Sequence, residues 1–246
     1  MSDGVAELVL RGSEGHAISP ALLAALDWAL GEVQANPGIK LLVLRGEGRC
    51  FSTGADLAAV EALPPGEARE FFERGRALIR RLEALNVVTL AAVNGLALGG
   101  GFELALACDV RWAHARAVFG FPECQLGLIP GWGGVRFLRR HLPASLALEL
   151  LTRGDLLGAR AVHGYGLVSR IFEGKDFKSQ IRAGLEIFRA RDAAVLRAIK
   201  TLSLDLAAES RIGWDTAEAA ALDALWSRRA ARSPEAESPH GQERGS

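Results

Sequence analysis

Two segments of this chain place glycines where a main chain could meet an anion. Phe51-Ser52-Thr53-Gly54-Ala55-Asp56-Leu57 follows a short Val/Leu run, and Asn94-Gly95-Leu96-Ala97-Leu98-Gly99-Gly100-Gly101-Phe102-Glu103 follows Val87 to Val93 and opens a helix. Glycine lets a ligand approach the backbone, and a helix N-terminus presents unpaired N–H groups at the positive end of its dipole. Both features favour an oxyanion. Two carboxylates accompany them: Glu103 in the first turn of that helix, and Glu123 in Phe119-Gly120-Phe121-Pro122-Glu123. Carboxylates at a reacting centre can take and give protons. Each feature alone has a plainer reading, since Gly54 followed by an Asp56 N-cap is a common turn and a lone glutamate is more often solvated or helix-capping. The triple glycine, and the apolar flank of Phe102, Phe119, Phe121 and Leu126, weigh towards a site.

The elements that must position these residues follow from hydrophobic period. Ala6 to Leu10 and Lys40 to Leu44 read as strands, separated by a helix from about Ser19 to Ala35 that opens with a Ser-Pro cap. A helix from about Pro65 to Leu85 carries Phe71, Phe72, Leu78, Ile79, Leu82 and Leu85 on one stripe, and Val87 to Val93 reads as a buried strand. A helix over Phe102 to Ala107 and short strands at Asp109 to Ala113 and Ala117 to Phe119 follow. Such alternation predicts an α/β fold with right-handed crossovers. From Gly134 the chain reads as mostly helical, interrupted by Leu167 to Phe172. The domain reading is a core over 1–192, a helical region over 193–232, and a tail over 233–246 whose Pro, Glu, Ser, Gly and His content predicts disorder.

Composition closes off several classes. Lys plus Arg and Asp plus Glu both number 29, so there is no global basic field for nucleic acid or an anionic membrane. Three cysteines, Cys50, Cys108 and Cys124, without C-x-x-C spacing argue against a disulfide framework and for a cytoplasmic setting. No basic region followed by an apolar stretch follows Met1, so no secretory leader is expected. Val87 to Val110 is apolar enough to suggest a membrane span, but Asn94, Glu103 and the three glycines make a buried strand and glycine-led helix the better reading. No dinucleotide fingerprint, phosphate loop, G-x-S-x-G elbow or H-E-x-x-H motif occurs, so no metal is expected.

Together with Leu126-Gly127-Leu128-Ile129-Pro130-Gly131-Trp132-Gly133-Gly134, these segments resemble the crotonase (enoyl-CoA hydratase/isomerase) family over roughly residues 5 to 172. The resemblance implies a spiral of ββα units with a helical C-terminal oligomerisation region. It implies an oxyanion hole from the N–H groups of Ala55 and Gly100, an acid/base pair of Glu103 and Glu123, and a water seated with help from the Gly131 backbone. Thr53, Asp56, Leu57, Gly131 and Trp132 are the expected substrate contacts, with the adenine of coenzyme A against the backbone near Thr53 and Ala55. Coenzyme A enters as part of the substrate and no separate cofactor is expected. The implied reaction is hydration of a 2-enoyl thioester, in which enolate charge builds on the carbonyl oxygen; a preorganised N–H donor there is typically worth about 3–4 kcal/mol by deletion.

The chain departs from the family pattern in three places. Leu57-Ala58-Ala59 stand where a lysine often follows the first turn, His16-Ala17-Ile18 replaces Asn-Ala-Leu, with His16 read as a turn residue, and the family's closing glycine-aromatic helix is not recognisable after Trp226. Trp132 stands where small residues are more common, as core filling or as a narrowing of the acyl pocket. Alternatives are a double-bond isomerase, which can run with one carboxylate, and a silent scaffold or RNA-binding member. Retention of both glutamates disfavours the first, and balanced charge the second. Dehalogenase, hydrolase and ring-closing members use other residue types at these positions. The resemblance also implies a homotrimer or homohexamer, and the apolar Val195, Leu196, Ile199, Leu202, Leu206, Ile212, Trp214, Leu222, Leu225 and Trp226 exceed what a terminal helix needs for itself.

Overall fold

The computed structural model describes residues 4–12 and 14–205 and divides the chain into a unit up to Arg191 and a second from Asp192. The expectations placed on Leu206, Ile212, Trp214, Leu222, Leu225, Trp226 and the tail lie outside the described residues.

In the first unit β1 (Val5–Leu10), α1 (Pro20–Ala35) and β2 (Leu41–Gly46) lead to α2 (Leu57–Glu61) and α3 (Pro65–Glu83). Next come β3 (Val88–Val93), β4 (Leu96–Leu98), α4 (Gly100–Leu106), β5 (Val110–His114) and β6 (Val118–Gly120), with a 3₁₀ turn over Pro122–Leu126. The unit closes with α5 (Gly134–His141), α6 (Ala144–Arg153), β7 (Leu157–Gly158), α7 (Ala159–Gly164), β8 (Arg170–Phe172) and α8 (Phe177–Arg189). Five parallel strands form one sheet in the order β1-β2-β3-β5-β8, and β4-β6-β7 form a second. Parallel strands covered on both faces are buried throughout, and all six residues of β3 are buried, its one polar member Thr89 satisfied by Asp109.

The expected ββα spiral is visible strand by strand. In β3-β4-α4, and again in β5-β6-α5, the first strand joins the large sheet and the second joins the small one. The chain after β2 follows the same course: Ser52 bridges Ala97 of β4 in parallel. By the two-residue period, Leu42, Leu44, Ala91 and Val93 share one face of the large sheet. They join a core with Leu23, Leu26 and Leu30 of α1 and Leu78, Ile79 and Leu82 of α3. Each such Val, Leu or Ile side chain contributes about 1.5–3 kcal/mol on burial. Ser19 caps α1 as its sequence suggests, its Oγ accepting from Leu22 N at 3.2 Å.

Helix α4 is pinned at its far end. Thr89 donates from N and Oγ1 to Asp109 Oδ2, at 2.8 and 3.0 Å, locking the chain after α4 to the start of β3. The buried Arg111 guanidinium donates to the carbonyls of Leu106, Cys108 and Leu167, setting a cation at the helix C-terminus where the dipole favours it. The stretch from Val87 to Val110 is thus strand, short strand and glycine-led helix, and among the described residues no helix is long and apolar enough to cross a membrane. In the second unit, α9 (Ala193–Asp205) is capped by Asp192 Oδ1, which accepts from Ala194 N at 2.7 Å.

Candidate active site

The two glycine turns lie side by side because they follow adjacent parallel strands, β2 and β3, at the same end. Asn94 staples them. Its buried side-chain oxygen accepts from Gly46 N at 3.1 Å, and its amide donates to Gly48 O and Cys50 O, both at 3.0 Å. Beyond the staple, Phe51 N and Ser52 N donate to Leu96 O, and Leu98 N returns a bond to Ser52 O at 3.0 Å. Gly54 has φ +95°, and a Cβ there would lie 2.7 Å from Leu98 O and 3.0 Å from Gly100 N. Only glycine lets these backbones approach so closely.

This lacing decides which amides are free. Ile18 takes up Gly54 O and Asp56 N in a parallel bridge, so the intervening Ala55 N–H faces away from that partner. Gly100 is the first residue of α4, where no intrahelical acceptor exists. Neither amide has an acceptor among the described residues. Both residues line one cavity of about 80 Å³, with Glu103 and Glu123 also in its wall.

The carboxylates are held differently. Glu103 is 1% exposed, and its Oε1 accepts from Trp132 N and Gly134 N, both at 2.7 Å. Burial pushes its pKa up to about 7 against the opposing pull of those amides, and the Glu123 charge adds to the rise. Glu123 is half-buried at the start of the 3₁₀ turn, its pKa also raised by burial, and its Oε2 is buried without a partner among the described residues. Gly99, at φ +48°, makes room for it: a Cβ there would sit 2.6 Å from Glu123 Oε1.

Of the residues singled out in the sequence, Thr53, Ala55, Leu57, Gly100, Glu103, Glu123, Gly131 and Trp132 all line this cavity. Asp56 does not. Its Oδ1 accepts from Ala59 N at 3.1 Å, so the carboxylate is spent on capping α2 and is turned from the cavity. The Gly131 carbonyl receives Arg76 Nη1 at 3.3 Å, and it is the neighbouring amides of Trp132 and Gly134 that reach Glu103. His16 is a turn residue at φ +52°, its Nε2 bonded to Glu47 O. Sequence reasoning missed the two amides that grip Glu103; the Pro-Gly-x-Gly-Gly run was their only signal. A larger groove, about 850 Å³, lies on the other face of the large sheet against α8; Asn94, Gly46 and Gly48 reach it, but none of Thr53, Ala55, Asp56, Leu57, Gly100, Glu103, Glu123, Gly131 and Trp132 lines it.

Two free backbone donors facing two carboxyl groups across an apolar cavity define a protein equipped to hold a carbonyl oxygen as it gains charge while protons move beside it. The sequence signature described as enoyl-CoA hydratase/isomerase matches residues 1–228. The chain belongs to that family. Among its relatives, a crotonyl-CoA hydratase of Syntrophomonas wolfei is 37% identical over 168 residues, covering 68% of this chain and 65% of that protein. A short-chain-enoyl-CoA hydratase of Clostridium acetobutylicum is 36% identical over 159 residues, covering 64% of this chain and 61% of that protein. The match thus spans less than two thirds of the length of these curated relatives. An enoyl-CoA hydratase structure from Bacillus anthracis superposes with a TM-score of 0.85 at 28% identity, covering 89% of this chain and 86% of that one.

Proposed function

We propose that this chain is an enoyl-CoA hydratase, a hydro-lyase that adds water reversibly across the double bond of a 2-enoyl-CoA thioester. The observation that carries the reading is the pairing of two acceptor-free amides, at Ala55 and Gly100, with two carboxyl groups whose pKa values are raised. The thioester oxygen binds between the two N–H groups. Glu103 takes a proton from water, and the hydroxyl oxygen bonds to C3. The π electron pair moves through C2 to the carbonyl oxygen, giving an enolate held by Ala55 and Gly100. Glu123 gives its proton to C2 and restores the carbonyl. Glu103 is assigned the base because two amides hold one of its oxygens and leave the other for water. Glu123 is assigned the acid because its Oε2 carries no donor that would favour the charged form. The two titrate as a unit, and proton exchange with solvent resets them.

Retention of both carboxyl groups favours hydration over double-bond isomerisation, for which one suffices. Coenzyme A comes as part of the substrate, its adenine against the backbone near Thr53 and Ala55, and no further cofactor is required. A cytoplasmic homotrimer or homohexamer is the matching assembly; light scattering that returns a monomer mass at micromolar concentration refutes it. The reaction is tested by loss of the conjugated thioester absorbance of crotonyl-CoA. Glu103→Gln and Glu123→Gln each lower kcat by about 10²–10⁴, and the double variant loses far less than the product. Wild-type hydration by either folded single variant overturns the assignment.

A further inference from the structure

We propose that the acyl end of the cavity admits only a short, uncharged hydrocarbon chain, with the Trp132 indole as its immovable end wall; the proposal rests on the acyl-CoA reading above. Trp132 is 3% exposed and is wedged between two helices. A Cβ on Gly75, within α3, would lie 2.1 Å from its Nε1, and a Cβ on Gly100, at the start of α4, would lie 2.6 Å from its Cζ3. The pyrrole edge therefore rests on one helix and the benzo edge on the other, with Phe71 of α3 packed at 5.6 Å between ring centroids.

The wall cannot swing aside by moving its main chain, because Trp132 N is bonded to Glu103 Oε1 and any shift would disturb that carboxylate. The indole N–H is buried with no acceptor among the described residues. What the side chain brings to the site is volume, and Gly75 is matched to it: any other residue at that position of α3 collides with the ring.

The cavity of about 80 Å³ gives the size limit. The same cavity must also hold the thioester carbonyl between Ala55 and Gly100, so little of it is left for the acyl chain. A site that engulfs a drug-sized ligand needs about 300–1,000 Å³. The lining gives the limit on charge. Phe72, Leu126, Leu128, Ile129 and Trp132 are apolar, and among the described residues the ionisable members are Glu103 and Glu123, with no lysine or arginine. Arg76, one residue past Gly75, is turned to Gly131 O and does not line the cavity. A distal acyl carboxylate would enter apolar surroundings beside two acids, with no cation among the described lining residues to pair with.

The test is kcat/KM of the full chain for crotonyl-, hexenoyl-, octenoyl- and glutaconyl-CoA, for wild type, Trp132→Ala and Trp132→Phe. Wild type should prefer crotonyl- over octenoyl-CoA by on the order of 100-fold, the discrimination a rigid apolar pocket gives, and turn over glutaconyl-CoA at least as poorly. Trp132→Ala should shift the octenoyl/crotonyl ratio towards the longer chain by at least about tenfold, with Trp132→Phe between. Equal wild-type rates on crotonyl- and octenoyl-CoA, or on crotonyl- and glutaconyl-CoA, overturn the proposal, as does a folded Trp132→Ala variant with an unchanged ratio. If Trp132→Ala does not fold, the wild-type profile and the Trp132→Phe ratio decide. Absence of turnover on every 2-enoyl thioester is a different result: it removes the acyl-CoA reading, and this proposal with it.

Discussion

Replacing Glu103 by glutamine should make the protein more stable at alkaline pH while disabling it. Burial raises the Glu103 pKa from 4.5 to about 7. A group whose folded pKa is raised favours folding below its unfolded value and loses that contribution as pH climbs through the folded one. At about 1.36 kcal/mol per unit, the wild-type protein forfeits roughly 3 kcal/mol between pH 4.5 and 7 at this one residue. Glutamine cannot ionise, and it keeps an oxygen for the Trp132 and Gly134 amides. The variant should therefore match wild type near pH 4.5 and exceed it by roughly 3 kcal/mol at pH 8, a rise in melting temperature on the order of 6–12 °C for a chain of this size. Denaturant titrations of both proteins across pH 4.5 to 8, on samples of equal concentration so that assembly is held fixed, measure the difference directly. A stability gap that does not widen with pH, or that widens in the opposite direction, refutes the burial argument.

Three further outcomes follow from the same geometry. If Glu103 is the base on water and Glu123 the acid, kcat/KM for crotonyl-CoA should be bell-shaped, its acid limb centred near pH 7, well above the range of an ordinary glutamate, and its fall at higher pH set by loss of the Glu123 proton; a flat profile from pH 5 to 8 contradicts this. Asn94→Ala removes three hydrogen bonds and strands the groups they served, so urea unfolding should show a loss of about 2–4 kcal/mol, and kcat should fall more than KM rises because both donor turns loosen. Gly99→Ala combines strain at φ +48° with a methyl 2.6 Å from Glu123 Oε1; stability should drop by about 1–3 kcal/mol and turnover by on the order of 10², and a folded variant with normal turnover would show that Glu123 need not lie against this turn.

The parts of the molecule readable in advance are those fixed by local pattern. Runs such as Leu41 to Leu44 and Val88 to Val93 read as strands because they are short, mostly apolar and bounded by glycine or turn residues, and the Ser-Pro start of α1 carries its own cap. Strand β4 was invisible: Leu96–Leu98 is three residues between glycines, and its existence depends on Val118–Gly120, some twenty residues on. The short β7 and the 3₁₀ turn that carries Glu123 escaped for the same reason. At the site, glycine spacing drew attention to the donor turns and the carboxylates drew attention to themselves. The grip of Trp132 N and Gly134 N on Glu103, the threefold use of Asn94, and the fit of Gly75 to an indole far along the chain exist only once the helices have met. Asp56, beside the site, has its carboxylate engaged at the start of its own helix, the N-cap that its sequence suggests.

On the function proposed above, the donors at Ala55 and Gly100 would be lost by different substitutions from those that remove the acids at Glu103 and Glu123. Deleting a main-chain N–H takes a proline, and at residue 100 even a methyl group meets the Trp132 ring. Drift in side-chain identity therefore passes over the donors and falls on the carboxyl groups, where one codon change suffices. On the function proposed above, a descendant of this chain that exchanges one glutamate for another residue type still arrives with a polarised thioester carbonyl in place. Such a scaffold can explore neighbouring thioester chemistries one residue at a time, retaining the portion of barrier reduction that is hardest to assemble from nothing.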